Sequence, residues 1–226
     1  LQATLHYAAW VLTVGFALPI LLAYALHLIP RQKILFRIVY YLPAVISATA
    51  VFFLWRELFG LDGFLNQMLR MFGFEARRAW TEDPTLAMLS CVIPGFWAGV
   101  GPGCLIYLAA LKTIPIEQFE AAEIDGAGFF QKTRLIVYPG LKGLILINLT
   151  GAVAASFHGA TNILIMTGGG PNGATEVTSL LLFFEAFTRL RLGHATAMAW
   201  IIGSMLIGIT VVQLQRLSRM EFKTAK

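Results

Sequence analysis

The side chains able to do chemistry are few in this chain, and most lie between apolar stretches. Glu117, Glu120 and Glu123 recur at i, i+3 and i+6, so on a helix they share one face. That face offers carboxylates to a cationic surface, with no nucleophile or paired base beside it. Thr167-Gly168-Gly169-Gly170-Pro171-Asn172-Gly173 is rich in glycine, but no Lys follows as a phosphate-cradling loop requires. It reads as a tight turn. Ser90, Ser156, Ser179, Ser204 and Ser218 lack the context of an activated nucleophile. The four His are scattered. Cys91 and Cys104, 13 residues apart, would be roughly 20 Å apart on one helix, too far for a disulfide. They read as small apolar fillers. Neither metal nor cofactor is expected.

The elements that must hold these residues are set by a shortage of charge. Only 13% of the 226 residues are charged and the mean hydropathy is +0.73, against about 25% charged in soluble domains. Residues 1–30, 38–55, 86–111, 143–175 and 192–215 contain no Asp, Glu, Lys or Arg. A span needs roughly 20 apolar residues. The windows predict five transmembrane helices, about 4–29, 38–55, 86–111, 143–166 and 195–215. Continuous apolar runs without alternation favour helices over a barrel. The fold class is all-α, a polytopic transmembrane bundle forming one domain over 1–226.

Charge placement gives the orientation. Arg31, Lys33, Arg37, Lys112, Lys132, Arg134, Lys142, Arg216, Arg219, Lys223 and Lys226 lie on one side, 11 of the 17 cations. Arg56, Arg70, Arg77, Arg78, Arg189 and Arg191 lie on the other. The richer side is expected in the cytoplasm, with the C-terminus. The net charge of +5 is then topological, and no nucleic acid is expected as a partner. The N-terminus falls outside, and one further preceding helix would return it to the cytoplasm.

Three segments outside the spans are patterned. In 56–85, Phe64, Leu65, Met68, Leu69 and Phe72 predict a short amphipathic helix at the outer interface, with Trp80 as a headgroup anchor. In 113–140, Pro115 opens a helix carrying the glutamates, Asp125-Gly126 breaks it, and a second piece from Ala127 to Val137 ends at Pro139-Gly140. In 176–190, Leu180, Phe183, Phe184 and Phe187 form an apolar stripe.

Inside the spans, no Asp or Glu is available to couple transport to an ion. The third span repeats Gly95, Gly99 and Gly103 at four-residue spacing between Pro94 and Pro102, which suits close helix packing or a bend around a solute. Trp97 offers an aromatic surface there. On the fourth span, Asn148, Gly151, Ala152, Ala155, Gly159 and Asn162 fall on one side, flanked by Ser156 and His158. That face is either a helix seam or a cavity wall. Neutral polar groups with an aromatic surface would suit a hydroxylated solute such as a sugar. Ser47, Trp97, Asn148, Ser156, His158 and Asn162 are the candidate path residues.

Glu120-Ala121-Ala122, then Gly126, then Ile136-Val137-Tyr138-Pro139 resembles the EAA motif of ABC importer permeases. Ile114-Pro115, Phe119 to Ala127, Thr167 to Pro171, Ala186-Phe187 and Gly193-His194-Ala195-Thr196-Ala197 resemble the carbohydrate-uptake branch, which includes maltose and glycerol-phosphate permeases. Tyr138, where Leu is usual, and Gly143, where a second Pro is common, depart from the pattern. The resemblance implies a transport subunit that is not itself an enzyme, in a bacterial inner membrane. Glu120, Ala121, Ala122, Asp125, Gly126 and Pro139 would couple it to a cytoplasmic ATP-binding cassette ATPase dimer. A second related permease subunit would complete the path, and an extracytoplasmic solute-binding protein would deliver the sugar. A permease for glycerol phosphate or a polyol, and a membrane scaffold that transports nothing, remain the alternatives.

Overall fold

A computed structural model of the chain describes residues 1–28, 33–74 and 78–224. Among these the secondary structure is helical, without a strand. Helix α1 covers Gln2–His27. Helices α2 (Lys33–Val45) and α3 (Ala48–Leu58) follow, then the short α4 (Phe64–Met71) and the long α5 (Ala87–Leu111). Next come α6 (Ile116–Ile124), α7 (Phe129–Ser156), α8 (Ala160–Met166), α9 (Thr178–Thr188) and α10 (Leu192–Thr224). Four are long and apolar enough to cross a membrane, namely α1, α5, α7 and α10 over Leu192–Gln215. Arg31, Arg77 and Lys226 lie outside the described residues, as do the side chains of Lys33, Arg37, Arg216, Arg219 and Lys223.

The second expected span is not straight. Ile38–Val45 and Ala48–Leu58 meet at 101°. Pro43 has no N–H to give the helix, the Ile46 amide turns back to the Pro43 carbonyl at 3.3 Å, and Ser47 is extended (φ −52°, ψ 131°). The bent pair counts as one span or as a re-entrant loop.

The fourth expected span is also different. Helix α7 starts at Phe129, well before 143, and stops at Ser156. Phe157, His158 and Gly159 interrupt it before α8 begins. The expectation that Pro139-Gly140 would end a separate helix is therefore corrected. Pro139 sits inside the continuous helix. It removes one N–H and would crowd the carbonyl four residues back, at Leu135. The π-turn Thr133–Val137 surrounds that carbonyl and widens the winding there. Pro19 in α1 is preceded in the same way by the π-turn Val11–Gly15.

The core forms at two levels. At the end that carries α6, Ala23, Tyr24, Cys104, Leu111, Phe119 and Leu141 bury together. At the other end, Phe59, Met88, Cys91, Ile163, Met166 and Leu180 do so. The amphipathic helix expected in 56–85 is α4. Trp80 is tied inward by its indole N–H, which donates to Asn66 Oδ1 at 2.9 Å, and its ring packs near Phe59. Asn66, fully buried, turns the two hydrogens of its Nδ2 to the carbonyls of Gly60, Leu61 and Arg78, one of them shared.

Candidate functional site

The segment 113–140 is built from a short helix and a turn. Pro115 caps α6, and Glu117 lies in its first turn, where the helix dipole favours an anion. The helix ends in a Schellman arrangement. The Ala127 amide bonds the Ala122 carbonyl at 2.8 Å and the Gly126 amide the Glu123 carbonyl at 3.0 Å, with Gly126 at φ +71°. That backbone is why a glycine follows Asp125. Lys132 Nζ reaches across the turn to Glu123 Oε1 at 2.8 Å. One side chain, Phe119, fastens α6 to the bundle: it is 9% exposed and its ring lies 5.6 Å from that of His27. Gly140 lets α7 pass close, since a Cβ there would stand 2.7 Å from Ile114 Cδ1.

The outward side of this segment is bare. Glu120, Ala121, Asp125, Gly126 and Pro139 are exposed, and Ala122 is half-buried. Ile124 is 88% exposed and Phe130 84%. Exposed apolar side chains thus stand beside carboxylates on this turn.

Between the two core levels lies a cavity of about 350 Å³, within the range of small-molecule sites. Its walls come from α1, α5, α7 and α8. Gly95 and Gly99 form a flat stretch of α5, and a Cβ at either would meet nothing within 4 Å. The expected close packing along the glycine repeat is thus found only at Gly103, whose Cβ would touch Pro19 at 3.0 Å. The tightest approach on this helix is at Gly101, where a Cβ would overlap the Tyr40 carbonyl oxygen. Aromatic rings of Tyr7, Phe16 and Phe96 complete the wall. Among the described residues lining it, none is charged.

Of the path residues expected from sequence, Asn148 and Asn162 line this cavity. Asn162 arrives on α8, past the break. Its Nδ2 donates to Tyr7 Oη at 3.3 Å and to the Cys91 carbonyl at 3.2 Å. Asn148 and Tyr107 meet side chain to side chain, with Asn148 Nδ2 and Tyr107 Oη both buried. The other four lie elsewhere. Ser47 is exposed at the α2–α3 bend. Trp97 is 41% exposed and edge-on to Trp55 at 5.8 Å. Ser156 is buried and bonds the Val153 carbonyl at 2.7 Å. His158 Nδ1 lies 2.8 Å from the Ala154 carbonyl. Tyr7, Phe16 and Phe96 were missed. The signal was present: Tyr7, Val11, Gly15 and Pro19 recur every four residues, so one face of the first span carries a hydroxyl and a gap.

Beyond α8, the glycine turn folds back on hydroxyl bonds. Thr175 Oγ1 donates to the Gly170 carbonyl at 2.6 Å and pairs with Thr167 Oγ1 at 2.7 Å. On α9, Leu180 is buried, while Phe183 and Phe187 face outward. Glu185 is 3% exposed, and both its oxygens are engaged, by Arg189 and by His194 Nδ1 at 3.2 Å.

Residues 7–219 match the family described as binding-protein-dependent transport system inner membrane component. The chain belongs to this family. The match takes in the cavity helices and the α6 turn of this permease together. Relatives include the probable ABC transporter permease protein YurN of Bacillus subtilis, 33% identical over 88% of this chain and 67% of YurN. The sn-glycerol-3-phosphate transport system permease protein UgpA of Yersinia pestis is 31% identical over 96% of this chain and 73% of its own. The diacetylchitobiose uptake system permease protein NgcF of Streptomyces coelicolor is 31% identical over 80% and 52%. The chain thus spans about two thirds of YurN and about half of NgcF. A crystallised bacterial ABC transporter involved in importing the acidic polysaccharide alginate superposes with a TM-score of 0.87. It covers 96% of this chain and 77% of that one at 23% identity, a likeness of fold.

Proposed function

We propose that this permease is the membrane subunit of an ATP-driven sugar importer, forming half of the translocation path. The observation that carries it is the bare turn of α6, held to the bundle by Phe119 while Glu120, Ala121, Asp125 and Gly126 face outward. In this reading, residues 113–140 dock on a cytoplasmic ATP-binding cassette ATPase dimer, which performs the hydrolysis. Small side chains allow close approach, and Glu120 meets a basic surface. A second homologous permease subunit closes the other side of the cavity. An extracytoplasmic solute-binding protein delivers the solute to the opposite end of the bundle. The cation-rich side, the coupling turn and the C-terminus lie in the cytoplasm of a bacterial inner membrane.

A sugar is favoured by the wall chemistry. Aromatic rings, a flat glycine surface and two carboxamides suit hydroxyl-bearing rings, and NgcF is named for an amino-sugar disaccharide. Glycerol phosphate, named for UgpA, would call for a cation that the described wall does not carry. The residues at the cavity, Asn148 and Asn162, are the first to test for solute contact. Ser47, Trp97, Ser156 and His158 would join the path only in a differently arranged state.

The test is copurification from native membranes, wild type against Glu120→Lys. An ATP-binding cassette subunit retained by wild type and lost from the variant supports the coupling surface. Its absence from wild type, under conditions that preserve membrane complexes, would turn the reading toward a scaffold that transports nothing.

A further inference from the structure

Asn162 is oriented by chemistry that leaves one arrangement open. A backbone carbonyl accepts hydrogen bonds and cannot donate. The Cys91 carbonyl, 3.2 Å away, therefore takes the Nδ2 end of the carboxamide. The second Nδ2 hydrogen goes to Tyr7 Oη at 3.3 Å. Both donors of Asn162 are then used, and Oδ1 must face away from them. Tyr7 Oη accepts in this contact, so its own O–H hydrogen is left over. Among the described residues, neither Asn162 Oδ1 nor the Tyr7 hydroxyl hydrogen has a further partner.

The two residues come from opposite ends of the chain, 155 positions apart, and are brought together by the break after α7. Gly159 makes the contact possible. A Cβ there would stand 2.7 Å from the Tyr7 ring. Asn162 is 7% exposed, and both residues line the cavity at the end away from α6.

We infer that Tyr7 and Asn162 form a hydroxyl-recognising subsite of this cavity, one that takes a neutral hydroxyl of the solute in preference to an ionised oxygen. Tyr7 donates to the solute oxygen, and Asn162 Oδ1 accepts the same hydroxyl's hydrogen or a neighbouring one. A carboxylate or phosphate oxygen satisfies Tyr7 but has no hydrogen for Oδ1, and it would face that oxygen lone pair to lone pair. The subsite thus discriminates against an anionic oxygen at this one position with no charge of its own. The inference rests on the importer reading, since it assigns the cavity to the solute.

The experiment uses the whole transporter, reconstituted with its ATPase and companion permease. The probes are radiolabelled maltose, trehalose, cellobiose and diacetylchitobiose, with monodeoxy analogues of whichever is carried. Tyr7→Phe removes one oxygen and keeps the ring against Gly159. The variant should assemble normally and show a KM raised about fivefold, the size of one hydrogen bond. For one monodeoxy analogue, wild type and variant should become equal, a result that altered packing would not give. A KM unchanged by Tyr7→Phe, or raised alike for every analogue, overturns the subsite and leaves the importer reading standing. If the wild-type complex hydrolyses ATP but carries only an anionic or non-hydroxylated solute, the subsite is overturned and the importer reading stands; if it shows no ATP-driven uptake of any solute, the importer reading falls with it.

Discussion

At the scale of the residue, single side chains here fasten segments that would otherwise be loose. Glu185 is an example. The Arg189 guanidinium, then the His194 ring, hold its carboxyl below the usual carboxylate range, against a smaller opposing effect of burial. A depressed pKa means that the folded chain favours the ionised form. The stabilisation is therefore fully present above the ordinary glutamate value of about 4.3 and is lost as pH falls through the folded value. Glu185→Gln should consequently lower thermal stability at pH 7, with an effect that shrinks as the pH is lowered below the ordinary glutamate range, as read by melting curves in detergent across a pH series. Gly126 is a second example. Its φ of +71° admits a β-branched side chain only with strain of about 1–2 kcal/mol. Gly126→Val should weaken ATPase retention in a pull-down while leaving membrane insertion unchanged.

At the scale of the element, two glycines on one helix make opposite forecasts. Gly101 has the Tyr40 carbonyl against it, whereas Gly99 opens on the cavity. Gly101→Leu should force α5 away from α2 and lower the melting temperature sharply, since overpacking typically costs about 1–3 kcal/mol. Gly99→Ala should leave the melting temperature unchanged within error and alter uptake instead. The sequence made α5 legible from end to end, because nothing interrupts its apolar run. The bend after Pro43 and the break at 157–159 were not legible. An uncharged window reports where backbone may be buried, but a three-residue interruption changes its hydropathy little. The turn at Gly126 was legible because its chemistry is local, in the Asp-Gly pair. Tyr7 was not, since its partner lies 155 positions away and only packing brings them together. Asn148 and Asn162 fell on one face by helical arithmetic, and both do line the cavity, although one reaches it on a different helix.

At the scale of the whole molecule, the exposed apolar surface of α10, with Trp200 at 73% and Ile207 at 65%, calls for lipid or a neighbouring subunit around it. The orientation of the whole can be read chemically. Cys91 and Cys104 are buried and should be silent to a membrane-impermeant maleimide. A cysteine placed at Met71, 87% exposed, should be labelled on intact spheroplasts, and one at Ile124, 88% exposed, only after permeabilisation. The reverse pattern would invert the topology. The continuity of Phe129–Ser156 through its π-turn has a mechanical consequence. Its 28 residues make a lever of about 40 Å at 1.5 Å per residue. A tilt of about 10° around its middle swings each tip by roughly 3–4 Å, in opposite directions. That stroke is about one hydrogen-bond length, so a small rocking of α7 is enough to part or join contacts at both its tips.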